Sequence, residues 1–476
     1  MSSTREKSGG VQRGNRFWHC VLLLLCLFVA SGTLLNGMLF FPRPVVHAQS
    51  ADWTQFFGND EHTGFNGAET IIAPSTVGNL KIYWSRHARH GITTQPVEAH
   101  GILYWGSWDG LEHATNPTSG QDLWTANLGQ TSNCKHGTIG VLSTATVDDV
   151  QINGTTMAVV FVGGGNNDLY ALNADTGAVI WQTQLGTPPQ SFLYSSPTYY
   201  NGSIYIGVSG NDDCSKVQSQ LVQIDASTGT VLSTFDVVPA GCTGGSVWTS
   251  PTINETTGML YFSVGEKGNC PTTEPMAESL IEVAASNLAL VGYWQVPLRQ
   301  RILDGDFGAS PTLFSATIGG TLYQMVGLAN KNGLYYAFEQ NAISAGPLWQ
   351  VRLGTPPGPS SSSSAWDGTA LYVAGSPAVI NGTTCPGSLY ALNPADGTKL
   401  WSHCLSFDPR GGVMAVPGLV EMGAGSSIII VDTATGNQVF SFQDTHRKAN
   451  FEGPGTIVNG MLFHGNLDGY LYAFGP

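Results

Sequence analysis

Apolar and polar positions alternate in short runs along most of the chain, and Gly, Asn and Asp punctuate them. The stretch LYALNADTGAVIWQTQLG, ending at Gly186, holds two such runs around a turn. LYALNPADGTKLWSHCLS, ending at Ser406, repeats it. Period-two alternation predicts half-buried strands, and two runs around a short turn predict a hairpin. Weaker copies are HATNPTSGQDLWTANLG, LVQIDASTGTVLSTFDV and IIIVDTATGNQVFSFQD.

All copies share a kernel of Asn or Asp, three residues and Gly, and all but one, which has Ser233, carry an aromatic four positions on. The Asx side chain bonds to nearby backbone N–H groups and fixes the turn, and Gly supplies a positive φ. The aromatic falls on the outgoing strand, where it packs between neighbouring sheets. Its position is filled by Trp84, Trp124, Trp181, Ser233, Trp294, Trp349, Trp401 and Phe440. Those eight units recur at the spacing of four-stranded blades. KIYWSRHA begins the repeat region with an outer strand alone, and GMLFHGNLDGYLYAF ends the chain with inner strands alone. The two halves predict one blade closed by the N-terminal strand. The expected fold is all-β, an eight-bladed β-propeller over residues 49–476. GTPPGPSSSSSAWDG, residues 354–368, reads as a loop entering a blade.

Composition agrees, with Gly 60, Pro 25 and only 11% charged residues, a profile of many short strands and tight turns. Basic residues Arg5, Lys7, Arg13 and Arg16 precede an uncharged run at 17–41. Residues 1–48 therefore read as an export signal, with Val46 and Ala48 before a plausible cleavage point, or as an N-terminal membrane anchor. Either places the remainder outside the cytoplasm. The net charge of −14 argues against nucleic acid and anionic membrane surfaces as partners. Beyond the apolar run lie six cysteines, an even number that predicts disulfides in an exported chain. Cys385 with Cys404 and Cys242 with Cys270 each fall within one repeat, which leaves Cys134 with Cys214.

The LYALNxxTGxxxW kernel resembles the quinoprotein repeat of alcohol dehydrogenases that use pyrroloquinoline quinone (PQQ), and of related assembly scaffolds. GGSVWTSPTINETTGMLYFSVGE (244–266), LDGDFGASPTLF (303–314) and GLANKNGLYYAF (327–338) are similar to polyvinyl-alcohol-dehydrogenase-like quinoproteins. That resemblance implies a quinone stacked on a tryptophan near the axis, a Ca²⁺ ion and a carboxylate base. On the matching positions it implies Trp248 and Lys331 as quinone contacts and Asp304, supported by Asp306, as the base. Asp212 or Asp213 falls at an acidic Ca²⁺ ligand, and Glu266 stands where the family usually has an asparagine ligand. Two further positions depart from the family: an adjacent cysteine pair is represented by Cys214 alone, and Gln218 stands in place of an arginine.

Each of these residues also has a plainer role. Asp304 and Asp306, two apart, share a face if they lie on a strand. Alternatively they cap backbone N–H groups where a loop enters a blade. Trp248 precedes a TSPT strand start, like SSPT at 195–198 and ASPT at 309–312, and serves either the axial entrance or packing. Lys331 is a turn lysine. Tyr194, Trp108 and Glu452 also fall near axial turns. Two functions follow as expectations. The first is an exported PQQ-dependent oxidoreductase of secondary or polymeric alcohols that passes electrons to an external acceptor. The second is a cofactor-free propeller that binds a protein or glycan.

Overall fold

The computed structural model describes residues 52–356, 362–446 and 449–476. The export segment expected at residues 1–48 lies outside them. Among the described residues no helix is long and apolar enough to cross a membrane.

Among the described residues eight antiparallel blades follow one another along the chain, seven of four strands and blade 3 of five, because Ser191–Phe192 adds to it. Their inner strands are Val97–Ala99 in blade 1, Thr146–Ile152 in blade 2, Thr198–Tyr200 in blade 3 and Thr252–Asn254 in blade 4. Thr312–Ile318, Ala365–Trp366, Met414–Val416 and Thr456–Val458 are those of blades 5 to 8. In blade 8 the outer strand is Lys81–His87, paired with Tyr470–Gly475. The ring therefore closes with the N-terminal strand, as the two unmatched chain ends predict, and few sheet edges are left open.

The repeated kernel explains how one blade grips the next. Asn173 Oδ1 accepts the N–H groups of Asp175 and Thr176, and Asp225 and Asp432 do the same in their own turns. Gly177 and Gly229 have φ of 70° and 73°. A Cβ on Gly229 would stand 2.6 Å from the Trp181 ring of the preceding blade. That indole donates from Nε1 to Ala226 O at 3.0 Å. Trp84, Trp124, Trp349 and Trp401 make the same bond to Pro117, Ala174, Pro394 and Thr433. One glycine thus serves both the turn and the indole that lies on it. Where the pattern drifts the contact survives in another form, for Ser233 Oγ donates to Asn287 O.

A second belt runs round the axis. The threonines that open inner strands donate to the next blade: Thr198 Oγ1 to Pro251 O at 2.6 Å, Thr252 Oγ1 to Pro311 O at 2.7 Å and Thr312 Oγ1 to Ser364 O at 3.1 Å. The Ser-Pro-Thr motifs read from the sequence are its links. Residues 53–66 then lie along the axis and bond to the inner strands in turn. Thr54 O accepts from Val147 N, Asp60 O from Ile253 N, Glu61 O from Leu313 N, Thr63 O from Trp366 N and Gly64 O from Ala415 N. Trp53 pairs with Glu98 in blade 1, and Asn66 Nδ2 donates to Ile457 O in blade 8. The ring is tied together at its centre by a single segment.

All three expected disulfides are present: Cys134–Cys214, Cys242–Cys270 and Cys385–Cys404.

Candidate active site

Three connections leave the same end of the strands. Trp248 lies in the link from blade 3 to blade 4, and Asp304 and Asp306 lie in the link from blade 4 to blade 5. Lys331 occupies the turn between Thr321–Asn330 and Leu334–Glu339, the middle strands of blade 5. Asp304 and Asp306 are not on a strand. Asp304 has φ of 57°, and extended structure begins only at Thr312. The two carboxylates meet because both reach one cation. Lys331 Nζ lies 2.6 Å from Asp304 Oδ1 and 3.0 Å from Asp306 Oδ2, and 5.8 Å from the centre of the Trp248 ring, within cation–π range.

The environments of the two acids differ. The Asp304 side chain is 63% exposed, against 16% for Asp306 and 13% for Lys331. Asp306 is held from several sides. One carboxylate oxygen accepts the Glu266 N–H. Its carbonyl accepts Lys331 N–H and Asn330 Nδ2, and Asn330 also binds Gly305 O at 2.8 Å. Burial pushes the Asp306 carboxyl above its ordinary range, and the Lys331 ammonium and the Glu266 N–H offset this only in part. Burial opposes the charge on Lys331, but Asp306 and Asp304 outweigh it and hold the ammonium above its usual range. The result is a buried ion pair beside an aromatic face, open to solvent on the Asp304 side.

The expected metal ligands do not gather into one set. Glu266 Oε1 pairs with Lys216 Nζ at 2.6 Å. Asp212 and Asp213 pair with Lys135 Nζ at 2.9 Å and 2.5 Å, and the bond to Lys135 draws the Asp213 carboxyl below its ordinary range. Among the described residues no three His, Cys, Asp or Glu side chains group as a metal cage. Lysines answer the carboxylates instead.

Cys214 is joined to Cys134, which lies in the hairpin of Thr131–Asn133 and Gly137–Ile139 between blades 1 and 2. Asn133 Nδ2 donates to Asn211 Oδ1 at 2.8 Å, and Asn211 Nδ2 donates to Ser132 O at 2.8 Å. The hairpin is thus strapped to blade 3, and His136 meets Trp108 edge-on at 5.1 Å. The Tyr194 hydroxyl lies 3.5 Å from Asn211 Oδ1. Lys135 and Lys216 are the residues that sequence reasoning missed. Each follows a cysteine closely, in NCKHG and DDCSKV. The pairing of Cys134 with Cys214 already implied Lys135 beside Asp212 and Asp213.

Donor chemistry in the mouth suits PQQ, a flat tricarboxylate: an aromatic face at Trp248 and ammonium groups at Lys331 and Lys216. A Ca²⁺ ion would have to compete with those lysines for the same carboxylates.

Residues 53–353 match the family described as glucose/ethanol/alcohol dehydrogenase, beta-propeller domain, a PQQ family. A polyvinylalcohol dehydrogenase of Sphingopyxis sp. (strain 113P3) is 23% identical over 90% of this chain and 72% of that protein. A second polyvinylalcohol dehydrogenase, of Pseudomonas sp., is 24% identical over 74% of this chain, which spans 61% of that relative's length. In fold, the crystal structure of quinohemoprotein alcohol dehydrogenase from Comamonas testosteroni superposes with a TM-score of 0.73 at 15% identity, covering 90% of this chain and 81% of the other.

Proposed function

The chain belongs to the PQQ family of glucose/ethanol/alcohol dehydrogenase β-propellers, and from that premise we propose that it oxidises an alcohol outside the cytoplasm. The observation that carries this reading is the grouping of Asp306, Lys331 and Trp248 at one end of the axis. PQQ, when bound, supplies the hydride acceptor. Trp248 offers the face on which a flat ring rests, and Lys331 and Lys216 offer positive charge for its carboxylates. Asp306 accepts the alcohol's hydroxyl proton, since it is the buried carboxylate and its raised pKa suits a base. Asp304, given the base's role by the sequence resemblance, is the exposed partner that shares Lys331 and adjusts its charge. Lys331 keeps Asp306 ionised until the proton arrives. Of the residues expected as Ca²⁺ ligands, Glu266 is paired with Lys216, and Asp212 and Asp213 are committed to Lys135.

The names of the two curated relatives favour a secondary alcohol, free or in a polymer. Electrons leave to an external acceptor. The three disulfides suit an oxidising compartment, and with it export.

The test is a spectral titration of the purified protein with PQQ, followed by dye reduction with a secondary alcohol and with polyvinyl alcohol. A PQQ complex and alcohol-dependent dye reduction are expected. Absence of binding with and without Ca²⁺ would sink the reading. It would favour the second one, a cofactor-free scaffold for a protein or glycan. The pairing of Asp212, Asp213, Glu266 and Asp306 with lysines of this chain is the observation that favours that alternative.

A further inference from the structure

The axial segment omits one blade. It bonds to the inner strands of blades 1, 2 and 4 to 8, but among the described residues its backbone makes no bond to Thr198–Tyr200 of blade 3. Tyr199 stands where Val147, Ile253 and Leu313 take a bond from the segment in their own blades. At that gap lies a polar pocket of about 540 Å³. It opens toward the far ends of the inner strands, away from Lys331.

Three carboxylates line this pocket, each from a different element. Asp60 comes from the axial segment, Asp148 from the inner strand of blade 2 and Glu255 from the turn after the inner strand of blade 4. No lysine, arginine or histidine lines it. His100, outside the lining, is 3.7 Å from Asp149 and also offsets part of the charge on Asp148. Asp60 is nine-tenths buried. Its Oδ1 accepts Gln55 Nε2 at 2.7 Å, and no other donor among the described residues reaches the carboxylate. Burial raises Asp60, and the charges of Glu255 and Asp148 raise it further, so the three groups feel one another. Tyr199 and Tyr200 supply the remaining wall.

A buried carboxylate with a free oxygen is costly unless a cation meets it. The volume is that of a small-molecule site, far larger than one ion needs. The acids are also spread over separate walls, and no three of them gather as a metal cage. We propose that this pocket binds a small linear amine with two or more separated ammonium groups, of the diamine and polyamine class. Its ammonium groups would meet Asp60, Asp148 and Glu255, and its methylenes would lie against the two tyrosine rings. This site is independent of the redox chemistry proposed for the mouth.

Isothermal titration of the full chain with spermidine at physiological salt tests this, with Ca²⁺ and glycerol as comparison titrants. One spermidine per chain is expected. Affinity should fall at least tenfold in Asp148→Asn and in Glu255→Gln, two positions that face solvent in part, and stay unchanged in Asp175→Asn, an acid on a distant turn. Several weak sites lost equally in Asp175→Asn would overturn the proposal, because they would report diffuse surface charge. Absence of heat with spermidine, or tighter binding of Ca²⁺ than of spermidine, would overturn it as well.

Discussion

Lys331 Nζ lies 3.0 Å from Asp306 Oδ2, and both side chains are largely buried although 25 residues separate them in sequence. The pair sets the charge of the mouth. Asp306 needs Lys331 to stay ionised, and Lys331 needs Asp306 to tolerate its burial. Removing either partner strands a charge in a poorly solvated place.

Asp306→Asn is expected to lower alcohol-dependent dye reduction by ~10²–10⁴-fold, the usual contribution of a positioned base. Asp304→Asn, at an exposed carboxylate, should cost less than ~10-fold, as exposed ion pairs contribute little. Steady-state assays of both variants with saturating PQQ check this, and equal losses would assign the base's role differently.

Lys331→Met removes the main group that holds the Asp306 carboxyl down. Its pKa then rises further, and the base is protonated over a wider range. The acid limb of the kcat/KM profile should move to higher pH, and PQQ affinity should fall. A pH–rate series with a parallel spectral titration measures both.

Gly229→Ala and Gly202→Ala separate the two duties of a turn glycine. Both residues have positive φ, 73° and 79°, so each substitution carries a backbone cost of about 1–2 kcal/mol. Only Gly229 also faces an indole: a Cβ there would stand 2.6 Å from the Trp181 ring, whereas nothing lies within 4 Å of one on Gly202. Gly229→Ala should therefore lower Tm more than Gly202→Ala does in thermal unfolding.

The Cys134–Cys214 bridge spans 80 residues. The double variant Cys134→Ser/Cys214→Ser should lose about 2–4 kcal/mol of stability, read by denaturant unfolding.

Asp60 and His62 give opposite pH dependences from one segment. Burial pushes the Asp60 carboxyl from 3.8 up to about 7. Between those values the native chain keeps a proton that the unfolded chain has lost, so stability falls as pH rises through that window. Burial drives His62 from 6.5 down to about 3. There the unfolded chain gains the proton first, so stability falls as pH drops from about 6.5 to 3. Asp60→Asn removes the first slope alone. The variant should be more stable than the parent at pH 8, with no such gain near pH 3.5, in unfolding curves recorded at both.

The fold was legible because its determinants are local. The Asx–Gly kernel, the indole four residues on and the Ser-Pro-Thr strand starts each specify their own turn or strand edge. Repetition then counts the blades, and the unmatched ends reveal the closing strand. Even the disulfides followed, since two pairs sit within single repeats. Trp248, Asp304, Asp306 and Lys331 could be picked out by resemblance, but their relation could not. Whether Asp304 or Asp306 is buried depends on a loop of positive φ and on Asn330 from the next turn, neither of which has a repeating pattern. The lysines that answer Asp212, Asp213 and Glu266 come from separate loops, Lys135 from a hairpin two blades earlier in the ring. The pocket at Tyr199 exists only because the axial segment passes six blades' inner strands with backbone bonds or pairing, ties a seventh through Asn66, and skips one. Sequence alone determined the strands, their turns and the order of the ring, because backbone propensity and side-chain periodicity act over a few residues. Tertiary structure decided which charges meet and which stay without a partner, because burial and Coulomb energy depend on distances that only ring closure sets.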